Sequence, residues 1–281
     1  MRLTKSIFIS AVLLMGVTVA SAAGFVKNGN FITVQLKQHQ NFGPNQVRLQ
    51  VVNDKIIRVQ ATAEQSFRNK TSLIVVPQKA QSSFKVEEQG DNLVVTTSAM
   101  RAVLNESTGR ICFYDLNDRV LLSEVAQGGK TFKPFTVPDR EIGVDLAKVP
   151  EAQKHGWSWR ALFDSPDNEA FYGLGQHQSE ELNMKGKNED LFQYNTKVSV
   201  PFVVSSKNYG ILWDSYSYCR WGNPDDYLQL NRAFRLFDKD DKEGQLTGTY
   251  VDKNGKKIVR GEDSIYFEYA MPEASELCNK T

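Results

Sequence analysis

Cysteine is scarce in this chain of 281 residues: there are three, Cys112, Cys219 and Cys278, and they lie far apart. An odd number cannot form a complete set of internal disulfides, so a disulfide scaffold is not expected. A thiolate metal site needs paired Cys or His at close spacing, and no such pairing exists. Histidine is as sparse, with His39, His155 and His177 in separate contexts. Each therefore reads as structural or exposed, and neither a metal nor another cofactor is expected. An excess of one charge is also missing, with 34 basic against 33 acidic residues, mixed along the chain. Without a basic field there is nothing to hold a polyanion, which excludes nucleic acid and anionic membrane as partners. Long apolar runs are lacking too. The run from Ile7 to Val19 is 13 residues, whereas a membrane-spanning helix needs about 20.

That short run does carry a message. Arg2 and Lys5 precede it, and the small residues Ala20, Ser21 and Ala22 follow it. A positive start, a short apolar stretch and a small-residue end form the three-part layout of a secretory signal peptide. Residues 1–22 are accordingly expected to be removed, with cleavage after Ala22 or Ala23. No Cys near that point offers a thiol for a lipid, so the mature protein is expected to be secreted or periplasmic and to have no membrane anchor. Without Arg2 and Lys5 it carries 32 basic and 33 acidic residues. Its length suits one large β domain plus a remnant, or two small domains.

Short β-rich runs separated by turn signals recur through the chain: Phe31 to Leu36, Val47 to Val52, Ile56 to Ala61, Leu73 to Val76, Leu93 to Thr97, Arg101 to Leu104 and Ile111 to Tyr114. This is the spacing of a sandwich or barrel. Asn53-Asp54 and Asn117-Asp118 each stand where a hairpin turn is needed. Ile57, Val59 and Ala61 alternate with Arg58 and Gln60, the period of a half-buried strand. Beyond residues 1–22, no convincing helical periodicity exceeds about three turns. The fold class expected is all-β, an antiparallel β-sandwich. The polar stretch from Thr136 to Gly156 reads as a long connection, followed by alternating aromatic and polar residues from Trp157 to Phe163. A charged run from Asp238 to Gly244 marks a boundary. The expected domains are therefore 23–244, one β-sandwich, and 245–281, in which Leu246 to Val251 and Ile265 to Tyr269 read as the first strands of an incomplete second β module. Two strands bury too little to stand alone, so a remainder of that module is expected elsewhere.

Several motifs invite chemistry and fail on inspection. The glycines of FYGLGQH, Phe171 to His177, lack the third Gly and the βαβ context of a dinucleotide loop, so a tight backbone turn between aromatic residues is the better reading. Asp238, Asp240 and Gly244 resemble a calcium loop, but Lys239 and Lys242 interrupt the ligand pattern. Glycoside hydrolysis needs two carboxyl groups facing one bond, about 5 to 9.5 Å apart. The neighbours Glu180-Glu181 and Glu189-Asp190 sit in a polar stretch with Lys185 and Lys187 and read as a solvated loop. No nucleophile motif is present. What stands out is the density of aromatic and amide side chains between Phe171 and Trp221: Tyr172, Gln176, Gln193, Tyr194, Asn195, Tyr209, Trp213, Tyr216, Tyr218, Trp221 and Asn223. Sugars present apolar CH faces and many hydroxyls, which rings and amides match. The same rings would equally suit an aromatic core; the amides are the stronger indication.

Taken in order, the FYGLGQ turn, LNMKG, DLFQYN and VPFVVSSKNYGILWD resemble family 31 glycoside hydrolases, most closely the bacterial α-xylosidase-like members. The resemblance covers about residues 25 to 244 and implies the family's N-terminal sandwich, similar in fold to galactose mutarotase. Leu246 to Tyr269 is similar to the opening of a protective-antigen-type β module. The resemblance also implies a retaining mechanism run by two aspartates on a (β/α)₈ barrel that follows the sandwich. No barrel lies within this sequence, so no catalytic residue is assigned and the chain alone is expected to be inactive. One loop is carried over: Gln193, Tyr194, Asn195 and Thr196 match the segment that the family's sandwich sends over the barrel mouth, and are the expected substrate contacts. Many relatives have an aspartate where Asn195 stands. The implied partners are the catalytic barrel and an oligo- or polysaccharide with α-linked xylose or glucose. Two other functions remain: a non-catalytic sugar-binding protein, and a mutarotase-like isomerase, which would need an acid and a base converging on one sugar.

Overall fold

The computed structural model describes residues 24–38, 41–68, 71–77, 83–127, 129–136, 155–177, 181–191, 193, 197–215, 217, 219–223, 248–251 and 257–260. Among them every strand pairing is antiparallel and there is no helix. The first sheet follows chain order: β1 (Phe25–Asn28), β2 (Phe31–Gln35), β3 (Gln46–Asn53) and β4 (Ile56–Thr62). The second also runs in order through β5 (Lys85–Gln89), β6 (Asn92–Thr96), β7 (Met100–Asn105), β8 (Ile111–Asp115) and β9 (Val120–Ser123). Alternation decides which side chains face inward. Ile32, Val34, Val47, Leu49 and Val51 of the first sheet form one buried cluster with Leu93, Val95, Ala102, Leu104 and Ile111 of the second. Two sheets sharing one apolar layer make the β-sandwich that the short alternating runs predicted.

The turns carry the expected chemistry. In the β3–β4 hairpin the Asn53 side chain accepts from the Lys55 backbone N–H at 2.9 Å. Before β9, Asp118 adopts a left-handed φ of 62°, a conformation Asp tolerates better than most residues. Asp115 accepts from the backbone N–H groups of Asn117 and Arg119, both at 2.9 Å. The run Leu73 to Val76, expected as a strand, is not one. Ser72 Oγ instead accepts from the Ile74 and Val75 N–H groups and donates to Asp214 at 2.6 Å. That local turn takes the donors a ladder would need and leaves Leu73 and Val76 exposed.

The chain leaves the sandwich through a buried ion pair. Lys130 Nζ lies 2.5 Å from Glu124 Oε2 and donates to the Gly109 carbonyl at 2.8 Å, while the Ile111 N–H donates to the same carboxylate oxygen at 3.0 Å. Burial pushes the Glu124 carboxyl above and the Lys130 ammonium below their ordinary values, against the attraction that holds them together. β10 (Lys130–Thr136) then pairs along its length with β11 (His155–Ala161). The connection expected between them falls largely outside the described residues. Trp159 of β11 stacks between Phe132, at 6.4 Å between centroids, and Trp213, at 4.1 Å.

A further sheet joins β12 (Phe171–Gln176), β14 (Val198–Ser205) and β15 (Tyr209–Leu212) in that order. β13 (Glu189–Leu191) pairs with β16 (Cys219–Trp221). Arg58 of β4 reaches Asp214 at 2.5 Å and links this part to the first sheet. Further along the chain, β17 (Gly248–Val251) pairs with β18 (Lys257–Arg260). The strand expected at Ile265 to Tyr269 and the charged run from Asp238 to Gly244 lie outside the described residues.

Candidate functional site

The FYGLGQ segment is β12, and its glycines are there for backbone reasons. Gly173, Leu174 and Gly175 have φ of 133°, 68° and 102°, a bulge that shifts the register with β14 between Gly173↔Val203 and Gly175↔Ser199. A Cβ on Gly173 would lie 2.5 Å from the Phe202 carbonyl oxygen, and one on Gly175 would overlap that of Val198. Only glycine permits both the positive φ and the close approach. The bulge turns Leu174 into a small core with Phe171, Met184 and Val203. The dinucleotide-loop alternative is thus excluded by geometry as well as by pattern.

Several rings singled out as sugar ligands serve this core. Trp221 meets Phe171 edge-on at 5.3 Å and donates its indole N–H to the Met184 carbonyl at 3.1 Å. Tyr209 packs on the same core and donates to Glu169 at 2.6 Å; burial and that carboxylate push its phenol well above the ordinary tyrosine range. The buried Glu169 also accepts from Ser205 Oγ and lies 3.3 Å from Lys207 Nζ. For Tyr209 and Trp221 the aromatic-core reading therefore holds, while Trp213 stacks on Trp159 outside this core. Glu169 was not singled out by sequence, since a lone acid before an aromatic run carries no signal of burial.

Glu189 and Asp190 differ from the solvated loop expected of them, because β13 holds them in a strand. Glu189 Oε2 lies 2.8 Å from Lys197 Nζ and 3.1 Å from His177 Nδ1, with the three side chains 14%, 12% and 5% exposed. His177 Nε2 is 2.7 Å from the Leu174 carbonyl. A carbonyl only accepts, so this nitrogen donates. Glu181 does behave as a solvated group, paired with Lys187 at 2.6 Å on the surface.

Of the expected substrate contacts, Gln193 is exposed, and its side-chain oxygen accepts from the Ser199 N–H at 3.1 Å. Tyr194, Asn195 and Thr196 lie outside the described residues, as do Tyr216 and Tyr218. Gln176, also exposed, stands opposite Val198 in the ladder, so the two amides flank the start of β14. From there an open apolar face runs across the sheet: Tyr172, Val198, Val200, Phe202, Val204 and Leu212 are each 40–48% exposed. The register places Tyr172 opposite Val204 and Phe202 opposite Leu212, so they share one side. A contiguous exposed apolar surface of this kind marks a surface meant to be covered. Its signal was the alternation in VSVPFVVS, which shows a strand but not which face lacks a cover. Among the described residues, no group of three or more His, Cys, Asp and Glu side chains could hold a metal.

An all-antiparallel sandwich followed by a bulged, half-covered sheet is the architecture of a mutarotase-like carbohydrate-enzyme domain. Residues 46–221 match the model of the glycosyl hydrolase 31 N-terminal galactose mutarotase-like domain, and the chain belongs to that family. It is 36% identical to the GH31 alpha-xylosidase from Xanthomonas citri in crystal form, with a TM-score of 0.61 over 82% of this chain and 22% of that one. An alpha-xylosidase from Saccharolobus solfataricus is 28% identical over 61% of this chain and 22% of its own length. A family 31 glucosidase from Pseudescherichia vulneris, uncharacterized, is 26% identical over 60% and 32%. The chain thus spans about a third or less of the length of these relatives.

Proposed function

We propose that this chain is the N-terminal, substrate-shaping part of a secreted retaining α-glycosidase of α-xylosidase type, acting on α-linked xylose or glucose units of a polysaccharide. The observation that carries this reading is the open apolar face of β12, β14 and β15 beside Gln193. We read it as a surface for the catalytic barrel, with Gln193 at its edge. The chemistry of the described carboxylates supports the division of labour. Glu124 and Glu169 are buried and each is matched to a lysine, Lys130 at 2.5 Å and Lys207 at 3.3 Å, whereas buried Glu106 reaches Lys37 at 2.6 Å through one oxygen only. A carboxylate so matched has its charge spent on structure and is poorly placed as nucleophile or acid. His177 is held by its Nε2 hydrogen bond to the Leu174 carbonyl, with Nδ1 beside Glu189.

Purified alone, the chain is expected to turn over neither p-nitrophenyl α-xyloside nor the α-glucoside, while a longer polypeptide that continues into a barrel turns over at least one. Turnover by the chain alone that disappears on mutating a single Asp within it would sink this reading. In the longer polypeptide, Asn195→Ala removes an amide able to make two hydrogen bonds, each worth about 0.5 to 1.5 kcal/mol net. The expected result is a several-fold to roughly hundredfold loss of kcat/KM with the melting temperature nearly unchanged. Unchanged kinetics with a clear fall in stability would instead make Asn195 a turn cap.

A further inference from the structure

The two oxygens of Glu106, a residue 2% exposed just after β7, have different fates. Oε2 lies 2.6 Å from Lys37 Nζ, whereas Oε1 is buried with no hydrogen-bond partner. Buried carboxylate oxygens are ordinarily paired, so an orphan indicates a donor yet to be supplied. Beside it is Gly24. A side-chain carbon on that glycine would lie 2.9 Å from Oε2 and 3.4 Å from Oε1. The Gly24 nitrogen already donates to Glu88 Oε1 of β5 at 3.2 Å. Asp91, 3.6 Å from Lys37, adds a third carboxylate to the cluster. Gly24 therefore lies beside two acids, Glu88 and Glu106, while the Lys37 ammonium is shared between Glu106 and Asp91.

Gly24 directly follows Ala20-Ser21-Ala22-Ala23, the small-residue end of the expected signal peptide. Within an intact chain its nitrogen has one hydrogen to give. We infer that the Ala23–Gly24 bond is the processing site, and that the new α-ammonium of Gly24 docks between Glu88 and the unpaired oxygen of Glu106. The step is a hydrolysis catalysed by a signal peptidase. The C–N bond breaks, the hydroxyl of water adds to the Ala23 carbonyl carbon and its hydrogen goes to the Gly24 nitrogen. The carboxyl proton then passes to the amine, leaving a carboxylate on the released peptide and an ammonium on the protein. That ammonium has three hydrogens, enough for Glu88 and Glu106 together. Glycine suits the position because a side chain would crowd the Glu106 carboxylate. A cut after Ala22 would leave an amide at Gly24 and the oxygen unpaired.

The first test is the intact mass and N-terminal sequence of exported full-length protein. A chain starting at Gly24 is expected; one starting at Ala23 or keeping Met1 overturns the inference. The second compares two recombinant forms, starting at Gly24 and at Ala23. An ammonium between carboxylates titrates above the ordinary α-amino range of about 7.7 to 8.0. Its stabilisation is present below that ordinary value and is lost as pH rises through the raised one. At pH 7 the Gly24 form should melt about 2 °C or more above the Ala23 form, and the gap should close by about pH 10. Reductive methylation of its amine, followed against pH, should show the raised titration, and Glu106→Gln should lower it. Should Glu106→Gln not fold, Glu88→Gln reads the same titration from the exposed side. An amine that titrates in the ordinary range, or equal melting of the two forms, overturns the docking.

Discussion

In the β1–β9 sandwich, Ile32, Val34, Val47, Leu49 and Val51 meet Leu93, Val95, Ala102, Leu104 and Ile111, so each sheet is the cover of the other. In the β12–β14–β15 sheet, Val203 belongs to a buried core of four residues while its neighbours Phe202 and Val204 stay open. The first region also uses relaxed turns, such as Gly90 with φ 62° and nothing within 4 Å of where a Cβ would stand. The second holds three successive residues at positive φ. The difference separates two tasks. In the sandwich each sheet buries the apolar face of the other, whereas the bulged sheet leaves an apolar face open, the surface proposed above to take the barrel.

The sharpest way to break this comparison is the same substitution in both backbones. Gly175→Ala places a methyl group on the Val198 carbonyl at φ 102°, and should cost about 4 kcal/mol or more, with loss of the bulge. Gly90→Ala meets open space, so only its left-handed φ is penalised, by about 1 kcal/mol. Urea unfolding of the two variants measures both; equal costs would mean that the bulge can relax and is not required.

A second pair tests coverage. Val47 is 0% and Val204 42% exposed. Val→Thr keeps the shape and adds a hydroxyl, which costs about 1 to 3 kcal/mol where it is buried without a partner. Val47→Thr should fall in that range, and Val204→Thr within about 0.5 kcal/mol of wild type. In a polypeptide that continues into a barrel, as proposed above, Val204→Thr should become costly, approaching Val47→Thr. If Val204→Thr is as costly in the chain alone, its face is already covered.

The sandwich was legible because its cues are local: Val47, Leu49 and Val51 alternate with polar residues, and Asn53 and Asn117 mark turns. The run at Leu73 misled because apolar residues next to Ser72 look like a strand, while the hydroxyl that captures their N–H groups acts only in three dimensions. The candidate site was legible in part. The order of the FYGLGQ, DLFQYN and VPFVVSS segments pointed to the family, and its model matches residues 46–221. Which rings are core and which are exposed was not legible. Tyr172 and Tyr209 are alike in sequence, and only the Phe171–Met184–Val203 cluster and Glu169 assign Tyr209 to the interior.

The smallest effect distinguishes the two regions by how they hold surface carboxylates. Asp115, in the sandwich, is held below the ordinary carboxylate range first by the Arg119 backbone N–H, with further help from Asn117. Glu181, near β12, is lowered first by its hydrogen bond from the Lys187 ammonium. For both, the native state favours the ionised form, so the stabilisation is present above about pH 4 and is lost as pH falls through the lowered native value. Asp115→Asn and Glu181→Gln should therefore each melt slightly below wild type at pH 7, within about 2 °C, and each gap should close towards pH 2.5. Salt separates them. A backbone N–H is a fixed dipole in a turn and is little screened, whereas an exposed ion pair loses its attraction when the screening length drops to a few ångströms. At about 1 M NaCl and pH 7 the Glu181→Gln gap should vanish while most of the Asp115→Asn gap remains. Loss of both gaps in salt would mean that Arg119 holds Asp115 through its guanidinium, 3.1 Å away, and not through the turn backbone.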